Sequence, residues 1–265
     1  MPKRNFVPVA LSIAGSDSGG GAGIQADLKT FVSLGVHGTT ALTSITAQNP
    51  SMITAIQPCQ PEIVRRQMEA VFSGFQPGAS KTGMLYSAEI IRTVAQFFRR
   101  NRSTLVIDPV MVSTSGNTLL KASARKVLME QLLPLASLVM PNLPEAEILL
   151  ETRIVSPEDL RQAARTIQNR FGCPALVKGG HLGGLKIAID FFYDGKRELL
   201  LSAPFVRGIS THGTGCVYSA AVTAYLARGC SLPVAVQKGK QYISRAIGLS
   251  AKTRKFSVLG VPGRM

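Results

Sequence analysis

The chain is expected to fold as an α/β protein with a mostly parallel sheet covered on both faces by helices. Three observations lead there. Short β-rich runs alternate with longer segments of helical period along the whole sequence. Several runs are apolar at consecutive positions, as in Leu105-Val106-Ile107 and Ala175-Leu176-Val177, so both faces of their sheet are buried. Polar and glycine residues recur where the runs end, the rim at which open parallel sheets bind ligands.

Val7 to Ala14 is an apolar run ending at Gly15, a buried strand. Ile24 to Leu34 is a helix, with Ile24, Leu28, Phe31 and Leu34 on one stripe and Gly35 as its stop. Thr39 to Thr46, rich in Thr and Ile, is a strand, and Ile53 to Ile56 is a further short one. Pro61-Glu62 opens a helix through Phe72, since proline's fixed φ suits a first turn. Strands then fall at Ala79 to Met84, Leu105 to Asp108, Ser137 to Met140 and Ala175 to Lys178. Between and after them the pattern predicts helices at Ser87 to Phe98, Leu119 to Leu133, Pro144 to Leu150 and Pro157 to Phe171. Ile187 to Tyr193 and Arg197 to Leu201 flank Asp194-Gly195, a type I′ hairpin signal and an antiparallel addition toward one sheet edge. Helices from Gly215 to Ala227 and from Pro233 to Leu249 close the pattern. No linker, repeat or low-complexity tract interrupts it, so residues 1–265 are expected to form a single domain.

A hydrophobic share of 45% and a mean hydropathy of +0.18 suit a well-buried enzyme. No apolar run approaches the ~18–20 residues of a membrane span, and the start shows no signal-peptide core. A cytoplasmic address is expected, with no membrane partner. Four cysteines without a C-x-x-C pair, beside three histidines, make neither a disulfide framework nor a zinc site. The net charge of +15 is scattered over outer helix faces as Arg65-Arg66, Arg99-Arg100, Arg125-Lys126 and similar groups. No aromatic interleaving or nucleic-acid motif accompanies it, so it reads as solvated surface, and no specific nucleic acid is expected.

The chemistry concentrates in a few strings. His212-Gly213-Thr214-Gly215-Cys216 precedes a small-residue helix, the pattern of an anion hole at a helix N-terminus. Such a site stabilises a transferring phosphoryl group. Cys216 stands where a base would meet an attacking hydroxyl, and a helix N-terminus lowers a thiol pKa from ~8.5 toward neutrality. A helix-packing turn is the plain alternative. Gly15 to Gly23 lacks the Gly-Lys-Ser/Thr of a P-loop. Gly21-Ala22-Gly23-Ile24-Gln25-Ala26 fits G-x-G-x-x-A, but no Asp or Glu lies between Leu28 and Pro61 to hold a ribose, so a nicotinamide site fails. The loop instead brings backbone close to a small substrate. Asn142 and Glu145, three apart at a strand-to-helix turn, fit a Mg²⁺ site through water or a helix cap. Asp108 ends an apolar strand and needs a partner there: a metal, Lys178 or a ligand. Lys178 would neutralise nucleotide phosphates. His37, His181 and His212 do not cluster and read as loop or surface residues.

Taken in order, these strings resemble the hydroxymethylpyrimidine/phosphomethylpyrimidine kinases of thiamine biosynthesis, within the ribokinase-like superfamily. The likeness runs through Ala14 to Lys29, Thr46 to Asn49, Lys81 to Leu85, Asp108 to Met111, Pro141 to Ala146, Val177 to His181 and Thr211 to Cys216. It implies a three-layer α/β/α sandwich, and ATP- and Mg²⁺-dependent phosphorylation of 4-amino-5-hydroxymethyl-2-methylpyrimidine to its monophosphate and then its diphosphate. A homodimer is implied too. The pyrimidine would sit at Gly15, Asp27, Thr46, Gln48 and Met84. ATP would lie on Lys178, Asn142, Thr211 and Gly213. Glu145, Asp108 and Asn142 would hold Mg²⁺, with Gly213, Thr214 and Gly215 as the anion hole beside Lys178. Cys216 replaces the aspartate usual in the superfamily's sugar kinases. A short flap follows His181. A pyridoxal kinase of the same superfamily is the nearest alternative, and a polyanion-binding protein on a retired kinase fold the alternative of another class.

Overall fold

In chain order the first half comprises β1 (Val9–Asp17), α1 (Gly23–Ser33), β2 (His37–Asn49), β3 (Met52–Pro58), α2 (Pro61–Phe75), β4 (Ala79–Thr82), α3 (Ala88–Arg100) and β5 (Leu105–Ile107). There follow α4 (Ala122–Val127), β6 (Leu138–Val139), α5 (Leu143–Leu150), α6 (Pro157–Phe171), β7 (Ala175–Lys178), β8 (Ile187–Tyr193) and β9 (Glu198–Pro204). Helices α7 (Thr214–Ala227) and α8 (Leu232–Gly248) and the short strands β10 (Ala251–Lys252) and β11 (Ser257–Val258) end the series. The structure is a computed structural model that describes residues 6–111, 120, 122–180, 182, 187–206 and 212–263.

Strands β1 to β9 form one sheet in the order β3-β2-β1-β4-β5-β6-β7-β8-β9. The run from β2 through β7 is parallel throughout. Both margins are antiparallel: β3 folds back on β2, and β8 with β9 extends the sheet beyond β7. The mostly parallel α/β architecture is therefore as expected, with a second antiparallel edge that the short Ile53–Ile56 run announced only faintly.

Each central strand feeds two cores because successive side chains point to opposite faces. Leu105, Ile107, Val139, Ala175 and Val177 face one core with α2 to α6. Val106, Leu138 and Leu176 face the other, with Phe31 of α1 and the Val217–Ala224 stretch of α7. Helices thus cover both faces of the sheet, the three layers of the sandwich.

Three local expectations need correction. β1 does not stop at Gly15 but runs to Asp17, because its pairing with β2 shifts between Ala14 and Ser16 and resumes. The β8–β9 connection is not a two-residue type I′ turn. It spans Asp194 to Arg197, where Asp194 Oδ1 accepts the N–H groups of Lys196 and Arg197, and Gly195 alone of the four has a positive φ. The helix expected over Leu119–Leu133 is described from Ala122. It widens into a π turn over Leu128–Leu132 and then tightens at Leu133–Leu135, where Pro134 offers no N–H to continue the ladder.

Phe31 is fully buried between α1 and the sheet, and Gly38 on β2 leaves room for its ring. Phe31→Ala is expected to cost about 3–5 kcal/mol, read as a lower urea midpoint with an unchanged slope.

Candidate active site

A cleft of about 530 Å³ opens along the carboxyl ends of the parallel strands. β1 contributes Gly15 to Asp17, and β2 contributes Thr46 and Gln48. Gly83 and Met84 enter after β4, Asp108 and Val110 after β5, Asn142 and Glu145 after β6, and Lys178 at the end of β7. Gly213 to Cys216 join them from the start of α7. A mostly apolar end is built by Ala188, Ala203, Phe205, Val206, Ile243 and Ile247.

The start of α7 is seated by glycine. Gly213 is its N-cap, in the left-handed region at φ +81°, and a Cβ there would lie 1.8 Å from the Gly21 carbonyl oxygen. No other residue permits this approach of the turn to the glycine loop. The first-turn N–H groups of a helix have no intrahelical acceptor, so Thr214 to Cys216 present a positive edge to the cleft. At Gly215 a Cβ would be 3.4 Å from Lys178 Nζ and 3.5 Å from Asp108 Oδ2, so the turn also lies against that ion pair.

The glycine loop is folded around Asp17. Its Oδ1 accepts the Gly19 N–H, its Oδ2 accepts those of Gly21 and Ala22, and His212 Nε2 stands 3.2 Å from Oδ2. Burial pushes the Asp17 carboxyl up, but His212 and the backbone donors outweigh it and leave the group below the usual range. His212 lies in the turn before α7, a loop residue as expected, but its ring faces the Asp17 carboxylate and so links that turn to the glycine loop. His37 does lie at the surface, stacked on Phe75. Ser18 fixes Gln48 from both sides: its hydroxyl donates to the Gln48 carbonyl at 2.9 Å and accepts the Gln48 N–H at 2.8 Å. The Thr46 hydroxyl is 2.8 Å from the Ser16 carbonyl and 3.1 Å from Gln48 Oε1.

Lys178 Nζ donates to Asp108 Oδ1 at 2.8 Å, and the Ser219 hydroxyl reaches Asp108 Oδ2 at 3.1 Å. Lys178, one of the three partners open to Asp108 in the sequence, is paired with it. Asn142 and Glu145 form a capping box for α5: Asn142 Oδ1 accepts the Glu145 N–H and Glu145 Oε2 accepts the Asn142 N–H. The same two residues line the cleft, so cap and site wall coincide. Glu145 is 2% exposed, and burial, aided by the charge of Asp108 and opposed by Lys178, pushes its carboxyl up to about 7.

Two expectations fail. Asp27 does not reach the cleft. It is fully buried, bound to Lys81 Nζ at 2.8 Å and to the Ser12 hydroxyl at 2.5 Å, because α1 turns it toward β1 and β4 rather than the rim. Cys216 is not a thiolate near neutrality: burial pushes its thiol up to about 11, with Lys81 and the Gly23 N–H opposing the rise. Thr211 and His181, with most of the flap, lie outside the described residues. The sequence reading also passed over Asp190, which accepts the Gly179 N–H and Lys240 Nζ and lines the cleft with Lys240. An aspartate inside Ile187-Ala188-Ile189-Asp190-Phe191-Phe192 was the available signal, since an acid in a buried strand needs a partner.

The family model described as phosphomethylpyrimidine kinase matches residues 17–258. The chain belongs to the phosphomethylpyrimidine kinase family. It is a phosphotransferase. A hydroxymethylpyrimidine/phosphomethylpyrimidine kinase of Rhizobium meliloti is 48% identical over 240 residues, 90% of each chain. Among solved structures, an ADP complex of Bacillus subtilis pyridoxal kinase aligns with TM-score 0.90 at 37% identity, over 97% of this chain and 98% of that one. A phosphomethylpyrimidine kinase of Clostridium difficile aligns with TM-score 0.80 at 40% identity, over 90% of this chain and 99% of that one.

Gly213→Ala forces both a left-handed alanine and a collision with Gly21, and is expected to lower phosphoryl transfer about 100-fold with the circular dichroism spectrum retained. A second measurement concerns Glu145. Its folded carboxyl is raised from 4.5 to about 7, so the native state holds a proton that the unfolded chain has released. The stability this gives is full below the unfolded value and is lost as pH rises through the folded one. Wild type is therefore expected to lose urea resistance relative to Glu145→Gln between those two pH values.

Proposed function

We propose that this kinase phosphorylates 4-amino-5-hydroxymethyl-2-methylpyrimidine and then the resulting monophosphate, with Mg²⁺-ATP as donor, for thiamine biosynthesis. The observation that carries the reading is one cleft holding both halves of the chemistry. The Gln48 carboxamide, met by the Thr46 hydroxyl on a residue whose backbone Ser18 holds, shares it with Lys178 and the Gly213–Cys216 turn. A carboxamide offers donors and acceptors together, which suits ring nitrogens beside an amino group. Met84 and Gly15 supply an apolar surface for the ring, and the slot of Ala188, Phe205, Ile243 and Ile247 suits the adenine.

Asp108 and Glu145 are buried carboxylates facing the same cleft with Lys178 as the nearby cation. Mg²⁺ is bound by one or two carboxylates together with phosphates and water, so this donor set fits it, with the Asn142 turn alongside. Bound there, the ion would neutralise charge on the phosphates. Lys178 holds the transferring group, and the N–H groups of Thr214, Gly215 and Cys216 stabilise its oxygens in transit. In the first transfer the hydroxymethyl oxygen attacks the γ-phosphorus, the bond to ADP breaks and ADP leaves, and the hydroxyl proton passes to Cys216 Sγ in its thiolate form. In the second the acceptor is a monoester already anionic at neutral pH, with second pKa near ~6, and needs little from a base. Cytoplasmic residence, a single working domain and a homodimer belong to the same reading.

The test is ADP release from Mg²⁺-ATP with hydroxymethylpyrimidine, its monophosphate and pyridoxal in parallel. Turnover of both pyrimidines is expected. Turnover of pyridoxal alone would overturn the assignment, and the likeness to pyridoxal kinases makes it the acceptor to include. Because the Cys216 thiol lies well above neutrality, the first transfer is expected to accelerate from pH 7 to pH 9 as thiolate forms, while the second stays nearly flat. Cys216→Ala is expected to slow the first transfer about 100-fold, to remove its pH dependence and to spare the second.

A further inference from the structure

Behind the Gly15–Met84 wall of the cleft lies a hydroxyl with nothing to bond to. Ser44, on β2, is fully buried, and its Oγ has no hydrogen-bond partner among the described residues. Distances to the wall fix its place. A Cβ built on Gly15 would stand 2.7 Å from Ser44 Oγ and 2.9 Å from Met84 Cε. Gly15 and Met84 both line the cleft. The hydroxyl and the thioether methyl thus flank one point on the bare face of Gly15. Ser80 and Thr82 of β4 also lack a partner, but Ser44 is set against two residues of the cleft wall.

A buried hydroxyl left unbonded costs free energy that an apolar residue of similar size does not. Its neighbours on the strand are bonded: the Thr43 hydroxyl donates to the Met84 carbonyl at 2.6 Å, and that of Thr46 to the Ser16 carbonyl. The first of these bonds holds the Met84 backbone, so the part of Met84 free to move is its unbranched end. We propose that Ser44 is a specificity-determining residue for the acceptor. The end of Met84 swings aside as the ring enters, and Ser44 Oγ hydrogen-bonds a ring nitrogen or an amino group on the edge that lies against Gly15. A hydroxyl both donates and accepts, so it meets either group. The occupant is a flat nitrogen heteroaromatic, and the inference rests on the acceptor occupying the Gly15–Gln48–Met84 end, as proposed above. A ring with only carbon on that edge leaves Ser44 unbonded and binds less well.

The test is isothermal titration of the protein with hydroxymethylpyrimidine and, separately, with pyridoxal, without nucleotide. The proteins are wild type, Ser44→Ala and Ser44→Cys, the last keeping the volume while replacing the hydroxyl by a weak donor. Binding of the ring that wild type prefers is expected to weaken about tenfold in both variants. The urea midpoint is expected to hold or rise, and the KM for ATP to stay unchanged. Wild-type affinity in both variants overturns the proposal, and so does a loss confined to Ser44→Ala, which reports packing. A lowered urea midpoint in both variants also overturns it, since the hydroxyl then has a partner in the free protein. A wild type that prefers pyridoxal refutes the pyrimidine assignment and leaves the Ser44 comparison to be read on that ring. A wild type that binds neither ring defeats both.

Discussion

The cleft depends on two loops, far apart in sequence, meeting where a methyl group does not fit. Gly213 presses against the Gly21 carbonyl, and His212 reaches Asp17 across the same seam. Asp17 uses its remaining capacity to gather the N–H groups of Gly19, Gly21 and Ala22. One carboxylate thereby sets the shape of the first loop and the seat of the second. The orientation of α7, and with it the direction of its positive end, follows from that contact. So does the place of Gln48, which Ser18 of the same loop holds by its backbone.

The second organising theme is charge buried in pairs. Asp27–Lys81, Asp108–Lys178 and Asp190–Lys240 each close at 2.8 Å, and each joins elements distant in the chain. Removing water from such groups costs several kcal/mol per ion, and geometry must return most of it. Their positions show different uses. Lys178 is partly open to the cleft, at 12% side-chain exposure. Lys240 and Asp190 tie α8 to β8 and also hold the Gly179 N–H beyond Lys178. Lys81 is sealed off from solvent together with Asp27.

Much of this was legible in sequence because it is local. The strand-end positions of Gln48, Asp108, Asn142 and Lys178 follow from apolar runs that stop abruptly. Proline and glycine mark most helix ends, as at Pro157 and Gly172. What sequence did not show depends on depth and pairing. Asp27 and Cys216 both lie on helices beside glycine-rich strings, and a one-dimensional pattern cannot tell a rim from the layer below it. The Asp27 carboxylate went to Lys81, and burial rather than helix position governs the Cys216 thiol. His212 looked peripheral because its partner is 195 residues away. The turn at Asp194 departed from the two-residue form because that side chain caps two N–H groups of its own loop.

The inner face of the sheet is covered last. Ala10, Val106, Leu138 and Leu176 of the sheet, part-covered by α1, all precede in the chain the α7 side chains Val217, Ala220, Ala221, Val222 and Ala224 that complete their cover. At ~5–20 residues per second, a ribosome exposes that apolar face for many seconds before its cover emerges. An interrupted chain is then a sheet with one greasy side bare, a substrate for chaperones and proteases rather than a weak kinase. The helix whose first turn completes the cleft wall is also the one that covers the apolar face of the nascent sheet.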